Sequence, residues 1–245
     1  MKEEKLDVIL VPLGLLVMAM YNGWLLITIL RTPTRTAIGL NAVSRQQWVI
    51  SMMADPAHNG MLAVQTIRNS IMASALLATT AITLCSIIGV IVNNLLVHGS
   101  SKTYSLFYTV KYLAILLCFF VAFICNVQSI RHYAHVSYLV TIPALKDRID
   151  SIAYMATSLN WGCYFWFLGL RAFYISFPLF LWNFGAIPMF ACCCLMPCIQ
   201  YFLDTTTSLT RSLHGSCFGE GMVRMDDVES STHPPLLSRT CNIVY

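Results

Sequence analysis

Long stretches without a single charged residue decide what this chain folds into. Val8–Leu30 runs 23 residues, Ser70–Val97 runs 28 and Tyr112–Ile130 runs 19 without Asp, Glu, Lys or Arg. A helix rises about 1.5 Å per residue, so about 20 apolar residues cross the hydrocarbon of a bilayer. Each run meets or nearly meets that length. Only 11% of the 245 residues are charged and 57% are hydrophobic, whereas a soluble domain carries about a quarter of its residues as charges. The apolar surface therefore faces lipid, and the chain reads as an all-α, polytopic transmembrane helix bundle. "MKEEK" is not cleanly basic and no small-x-small site follows the first run, so a retained first helix is expected.

Arg171 sets the span count. It separates two uncharged runs, Ser151–Leu170 (20 residues) and Ala172–Leu203 (32 residues), with no acidic residue inside either. An unpaired arginine at the centre of a membrane helix costs about 2.5–3.5 kcal/mol. Trp161, Tyr164, Trp166 and Tyr174 are residue types enriched at headgroup level. The sequence thus predicts an interfacial segment in which Arg171 snorkels to a boundary, followed by one last span. Four spans result, at about 8–30, 70–97, 112–130 and 180–203, with five as the alternative. They make a transmembrane domain of residues 1–205. Residues 206–245 are rich in Ser, Thr and Gly with little periodicity, and read as a disordered tail.

Basic residues give an orientation. The first connection carries Arg31, Arg35, Arg45 and Arg68, the third Arg131, Lys146 and Arg148, and the second only Lys102 with Lys111 at its edge. The positive-inside rule puts connections one and three in the cytosol. Four spans then place the tail outside it, and Arg45, Arg68 and Arg171 near one membrane face.

The first connection is expected to be ordered. Ser44 and Gln47 have capping-box spacing, Trp48, Met52 and Met53 follow at helical spacing, and Asp55-Pro56 restarts a helix. Such amphipathic helices suit the interface, where Trp48 is half buried and Arg45 meets anionic lipid headgroups. In the second span Ser70, Ser74 and Ala78 recur at four-residue spacing and Ala81, Cys85 and Gly89 continue them. Small residues let helices approach closely in lipid, so this face predicts a packing seam.

The chemistry is sparse. No carboxylate lies inside the expected spans, which counts against proton-coupled transport, cation filters and intramembrane aspartyl proteolysis. No G-x-S-x-G, H-E-x-x-H or P-loop pattern occurs. "CCCLMPC" points three successive thiols in three directions, and His132 and His135 have no carboxylate nearby, so neither is expected to bind metal. No cofactor, no catalytic residue and no nucleic-acid partner is expected.

"RQQW" (Arg45–Trp48), "AVQTIRNSIMASALLATTAI" (Ala63–Ile82), "GLRAFYISFPLFLWNFGAIPMF" (Gly169–Phe190) and "YFLD" (Tyr201–Asp204) resemble the domain of unknown function 599 family. These are small multi-pass membrane proteins of plants and bacteria. The resemblance covers most of residues 6–205, and the tail with "HPPLL" looks like a plant extension beyond it. It implies a membrane location and several transmembrane helices, and it carries over no activity. The matching positions share a basic and aromatic signature, Arg45 with Trp48, Arg68 with Asn69 and Arg171 with Trp182, near the expected interfaces. The expectation is a non-enzymatic scaffold or interaction protein of the plasma membrane or an endomembrane, with lipid headgroups and a second copy or another membrane protein as partners. A small carrier or channel for anions is the alternative.

Overall fold

The computed structural model describes residues 2–32, 35–98, 102–142 and 148–205. Within them the chain is a succession of helices: α1 (Lys2–Arg31), α2 (Ala37–Ala54), α3 (Pro56–His98), α4 (Lys102–Thr141), α5 (Arg148–Leu181) and α6 (Ala186–Asp204). Five of them contain segments long and apolar enough to cross a membrane: Ile9–Arg31, His58–Asn94, Tyr108–Thr141, Asp150–Leu181 and Ala186–Asp204. The tail lies outside the described residues.

The fifth segment exists because the run after Arg171 is broken. α5 ends at Leu181, and tight backbone bonds follow, Phe184 N to Leu181 O at 2.9 Å and Gly185 N to Trp182 O at 3.3 Å. Gly185 then takes φ 139°, a conformation that side chains with a Cβ avoid, and α6 sets off antiparallel. Pro188 falls in the first turn of α6, where its missing N–H costs no intrahelical bond. The last span expected at 180–203 is therefore the end of one helix, a turn and most of another. Arg171 lies inside α5, not at its boundary.

α2 starts earlier than its sequence signal. Thr36, in extended backbone, is the cap, and its side chain accepts from Gly39 N at 3.3 Å. Ser44 sits inside the helix and donates to Leu40 O. Asp55 does cap the following helix, accepting from His58 N at 3.3 Å.

Two cores stack along the bundle. At one end Val11 and Met18 of α1, Cys85 and Ile88 of α3, Ile115 and Phe119 of α4, Leu179 of α5, and Met189 and Cys193 of α6 pack together. At the other end Val49 and Met53 of α2 join Ala63 and Ile67 of α3, Tyr133, Val136 and Val140 of α4, and Met155, Ala156 and Leu159 of α5. Ala81, Ala122 and Ala172 link the two. α3 has 43 residues and α4 has 40. They reach about 65 and 60 Å, twice the 30 Å of hydrocarbon. α1 and α6 flank one half of these helices and α2 flanks the other.

The long α3–α4 contact has a seven-residue repeat. On α4, Ile115, Ala122, Ser129 and Val136 form one buried row, and Phe119, Asn126, Tyr133 and Val140 form the next. On α3, Ile67, Ser74, Ala81 and Ile88 are buried with Ala78 and Cys85 between them. Heptad spacing keeps one seam facing its partner over many turns. Ser74 lies 3.3 Å from the Ser129 hydroxyl, which donates to Gly162 O of α5 at 2.7 Å, so the three helices are also stitched by hydroxyls.

Both chain directions are fixed at the two ends. Lys111 lies 3.8 Å from Asp7 and donates to Trp182 O at 3.1 Å, bringing the starts of α1 and α4 to the α5–α6 turn. At the far end an antiparallel bridge joins Thr36 to Thr205. The chain leaving α6 thus emerges beside the α1–α2 connection, on the side opposite to the one that four spans required. A C-terminal epitope and a tag in the first connection are expected to be cleaved from the same face of sealed vesicles. Cleavage from opposite faces contradicts this topology.

Candidate functional site

α5 carries Arg171 ten residues before its end, about 15 Å from the turn. α6 returns alongside and brings Gln200 and Asp204 toward it. Arg171 donates through Nη1 to Gln200 Oε1 at 2.6 Å and through Nη2 to the Asp204 carboxylate. α1 closes the cluster: Tyr21 donates its hydroxyl to Asp204 Oδ2 at 2.6 Å. The guanidinium also lies 4.5 Å from the Phe167 ring centre and 5.8 Å from that of Tyr21. Arg171, Gln200 and Asp204 are 5%, 2% and 6% exposed. This is a buried ion pair, and the lone, snorkelling arginine expected from the sequence is not found. A paired and hydrogen-bonded charge avoids the penalty that drove that expectation. Arg171 Nε has no hydrogen-bond partner among the described residues.

The other sequence-selected residues lie elsewhere. Arg45, on α2, donates from Nε to Asn160 Oδ1 of α5 at 2.8 Å, while its Nη2 is buried without a partner among the described residues. Asn160 is eleven residues nearer the start of α5 than Arg171, about 16 Å along the axis. Arg68 and Asn69 are exposed on α3. Arg45, Arg68 and Arg171 therefore do not share one level. Trp182 belongs to the opposite end, where the Lys111 ammonium stands 4.8 Å from its ring centre.

Of the small-residue positions, Ser74 and Ala78 are buried and Ser70 is half buried. A Cβ added at Gly89 meets nothing within 4 Å, so Gly89 lies off the seam. The buried row passes through Ile88 because a four-residue repeat drifts about 40° per step around a helix of 3.6 residues per turn. Cys85, Cys118, Cys125, Cys163, Cys192, Cys193, Cys194 and Cys198 are all free thiols. His135 lies 3.0 Å from the Tyr154 hydroxyl and His132 stacks on Phe165. No cluster of three or more metal-binding side chains occurs among the described residues.

Sequence reasoning missed Asp204, Gln200 and Tyr21. One signal was present: Asp204 is the first acidic residue after Asp150, and it ends the uncharged run that begins just after Arg171. An α-hairpin within that run brings the two together.

Comparison with curated proteins and with solved structures gave no match. The sequence model of the family described as "Protein of unknown function, DUF599" matches residues 9–209. The span of that match takes in every element built above from Ile9 onward, the buried Tyr21–Arg171–Asp204 cluster included, and the chain belongs to the DUF599 family.

Proposed function

We propose that the protein is a non-enzymatic multi-pass membrane scaffold, residing in the plasma membrane or an endomembrane and assembling with a second copy or another membrane protein. The observation that carries this reading is the pairing of Arg171 with Asp204. An arginine within the bundle whose charge is matched by a carboxylate has little field left to draw a permeant anion. Lys111, the basic residue buried at the opposite end, is likewise matched by Asp7. Buried pairs of this kind hold helices in register, and register is what a scaffold needs. The core formed by α2 with α3, α4 and α5 carries the packed helices past a bilayer's thickness.

An anion carrier is the competing reading, and flux separates the two. Sealed proteoliposomes loaded with chloride or phosphate are expected to leak at the rate of protein-free vesicles. Protein-dependent efflux that Arg171→Lys abolishes would overturn the scaffold in favour of the carrier, because lysine keeps the charge and loses the planar geometry.

A further inference from the structure

α2 borders an open groove of about 630 Å³ lined by Asn41, Ser44, Arg45, Gln47, Trp48 and Ser51. Its depth in the bundle is informative. Asn160, which holds Arg45, lies 21 residues before Leu181, about 32 Å along α5 from the Trp182 turn. Lys111, Asp7 and Trp182 make the charged and aromatic belt at that turn. A hydrocarbon layer of about 30 Å measured from this belt ends at the level of Arg45. That level is where lipid phosphates lie.

Arg45 is half buried and its side chain lines this groove. Asn160 fixes Nε at 2.8 Å, and the buried Nη2 has no partner among the described residues. A buried guanidinium N–H is costly to leave without an acceptor, and a phosphate oxygen is the acceptor that guanidinium geometry suits best. Asn41, Gln47 and Ser51 stand on the same wall, and no carboxylate among the described residues lines it. Trp48 supplies the half-buried ring that the glycerol and upper acyl region of a lipid covers. We propose that this groove is a headgroup site in which the phosphate of an anionic bilayer phospholipid sits against Arg45. The assignment does not depend on the scaffold reading.

The test is thermal unfolding of the full-length protein in a neutral detergent. Dioleoyl phosphatidic acid, dioleoyl phosphatidylcholine and inorganic phosphate are added separately. Phosphatidic acid is expected to raise the midpoint, and the other two are expected to leave it unchanged. Arg45→Lys should lose about tenfold or more in apparent affinity for phosphatidic acid, the size of one charge-assisted hydrogen bond. Ser44→Leu narrows the groove without touching the Arg45–Asn160 bond and should lose the shift too, which keeps the test decisive if Arg45→Lys folds poorly. Equal shifts from the two lipids would overturn the site. A full phosphatidic acid shift in Ser44→Leu would do the same. A shift from inorganic phosphate alone would overturn the lipid as the source of the phosphate.

Discussion

Asp204→Ala is expected to destabilise the protein by about 3–5 kcal/mol, the usual result of stripping one partner from a buried ion pair. The variant leaves the Arg171 guanidinium enclosed, with Gln200 as its one hydrogen-bond partner among the described residues, and leaves the Tyr21 hydroxyl without its Asp204 acceptor. α1, α5 and α6 all meet at Asp204, so the loss loosens three helices at once. Thermal unfolding in detergent, followed by the fraction that stays monodisperse on size exclusion, measures it. The double variant Arg171→Met with Asp204→Leu removes both charges and is expected to recover most of the stability, since apolar replacements of a buried pair are often neutral. An Asp204→Ala midpoint equal to that of the wild type would mean that the pair does not hold these helices together.

Gly169→Ala comes next in size. A Cβ there would stand 2.6 Å from Asn126 Nδ2 and 3.4 Å from the Ala122 carbonyl oxygen. Asn126 is fully buried and donates from that nitrogen to Ala122 O at 2.8 Å. Its side chain has to give up that bond to make room, or α4 and α5 must part. Overpacking of this kind costs about 1–3 kcal/mol. Asn126→Ala in the Gly169→Ala background removes the obstacle, so the double variant is expected to be more stable than the sum of the two single changes implies. Strictly additive midpoints would show that the close approach of Gly169 to Asn126 is not what limits packing there.

The helical content was legible because uncharged runs of span length are a local property. Asp55 as the cap of α3, with Pro56 at its first position, was legible for the same reason. What failed depended on distance along the chain. Arg171 and Asp204 are 33 residues apart, and a reading confined to the neighbourhood of Arg171 finds no partner. The turn that joins them was written in Gly185 and Pro188, but Trp182–Gly185 has no charged residue and sits inside an uncharged run. Span counting passed over it, so the sequence favoured four spans over the alternative of five, and five segments are long and apolar enough to cross. The small-residue face on α3 was legible over most of its length: Ser74, Ala78, Ala81 and Cys85 are buried, Ser70 is half buried, and only at Gly89 does the buried row pass to Ile88 instead. Arg45 and Trp48 were found together because they are neighbours on one helix. Asn160, which fixes Arg45, is 115 residues away.

The pairing of α1 with α6 bears on how the molecule is made. Tyr21 and Asp204 are 183 residues apart. Ribosomes add about 5–20 residues per second, so the first helix waits on the order of ten to forty seconds for the last one to be synthesised. α3, α4 and α5 follow one another in the chain and share both cores, so they can associate as they emerge. During that interval α1 has in place only the neighbours it finds on these helices, and Asp7, near its start, can already meet Lys111. Asp204 lies 33 residues after Arg171 in the chain, so the arginine enters the bilayer ahead of its carboxylate. The pair closes only when α6 packs beside α5, and Asp204 then both neutralises Arg171 and completes the seat for the first helix.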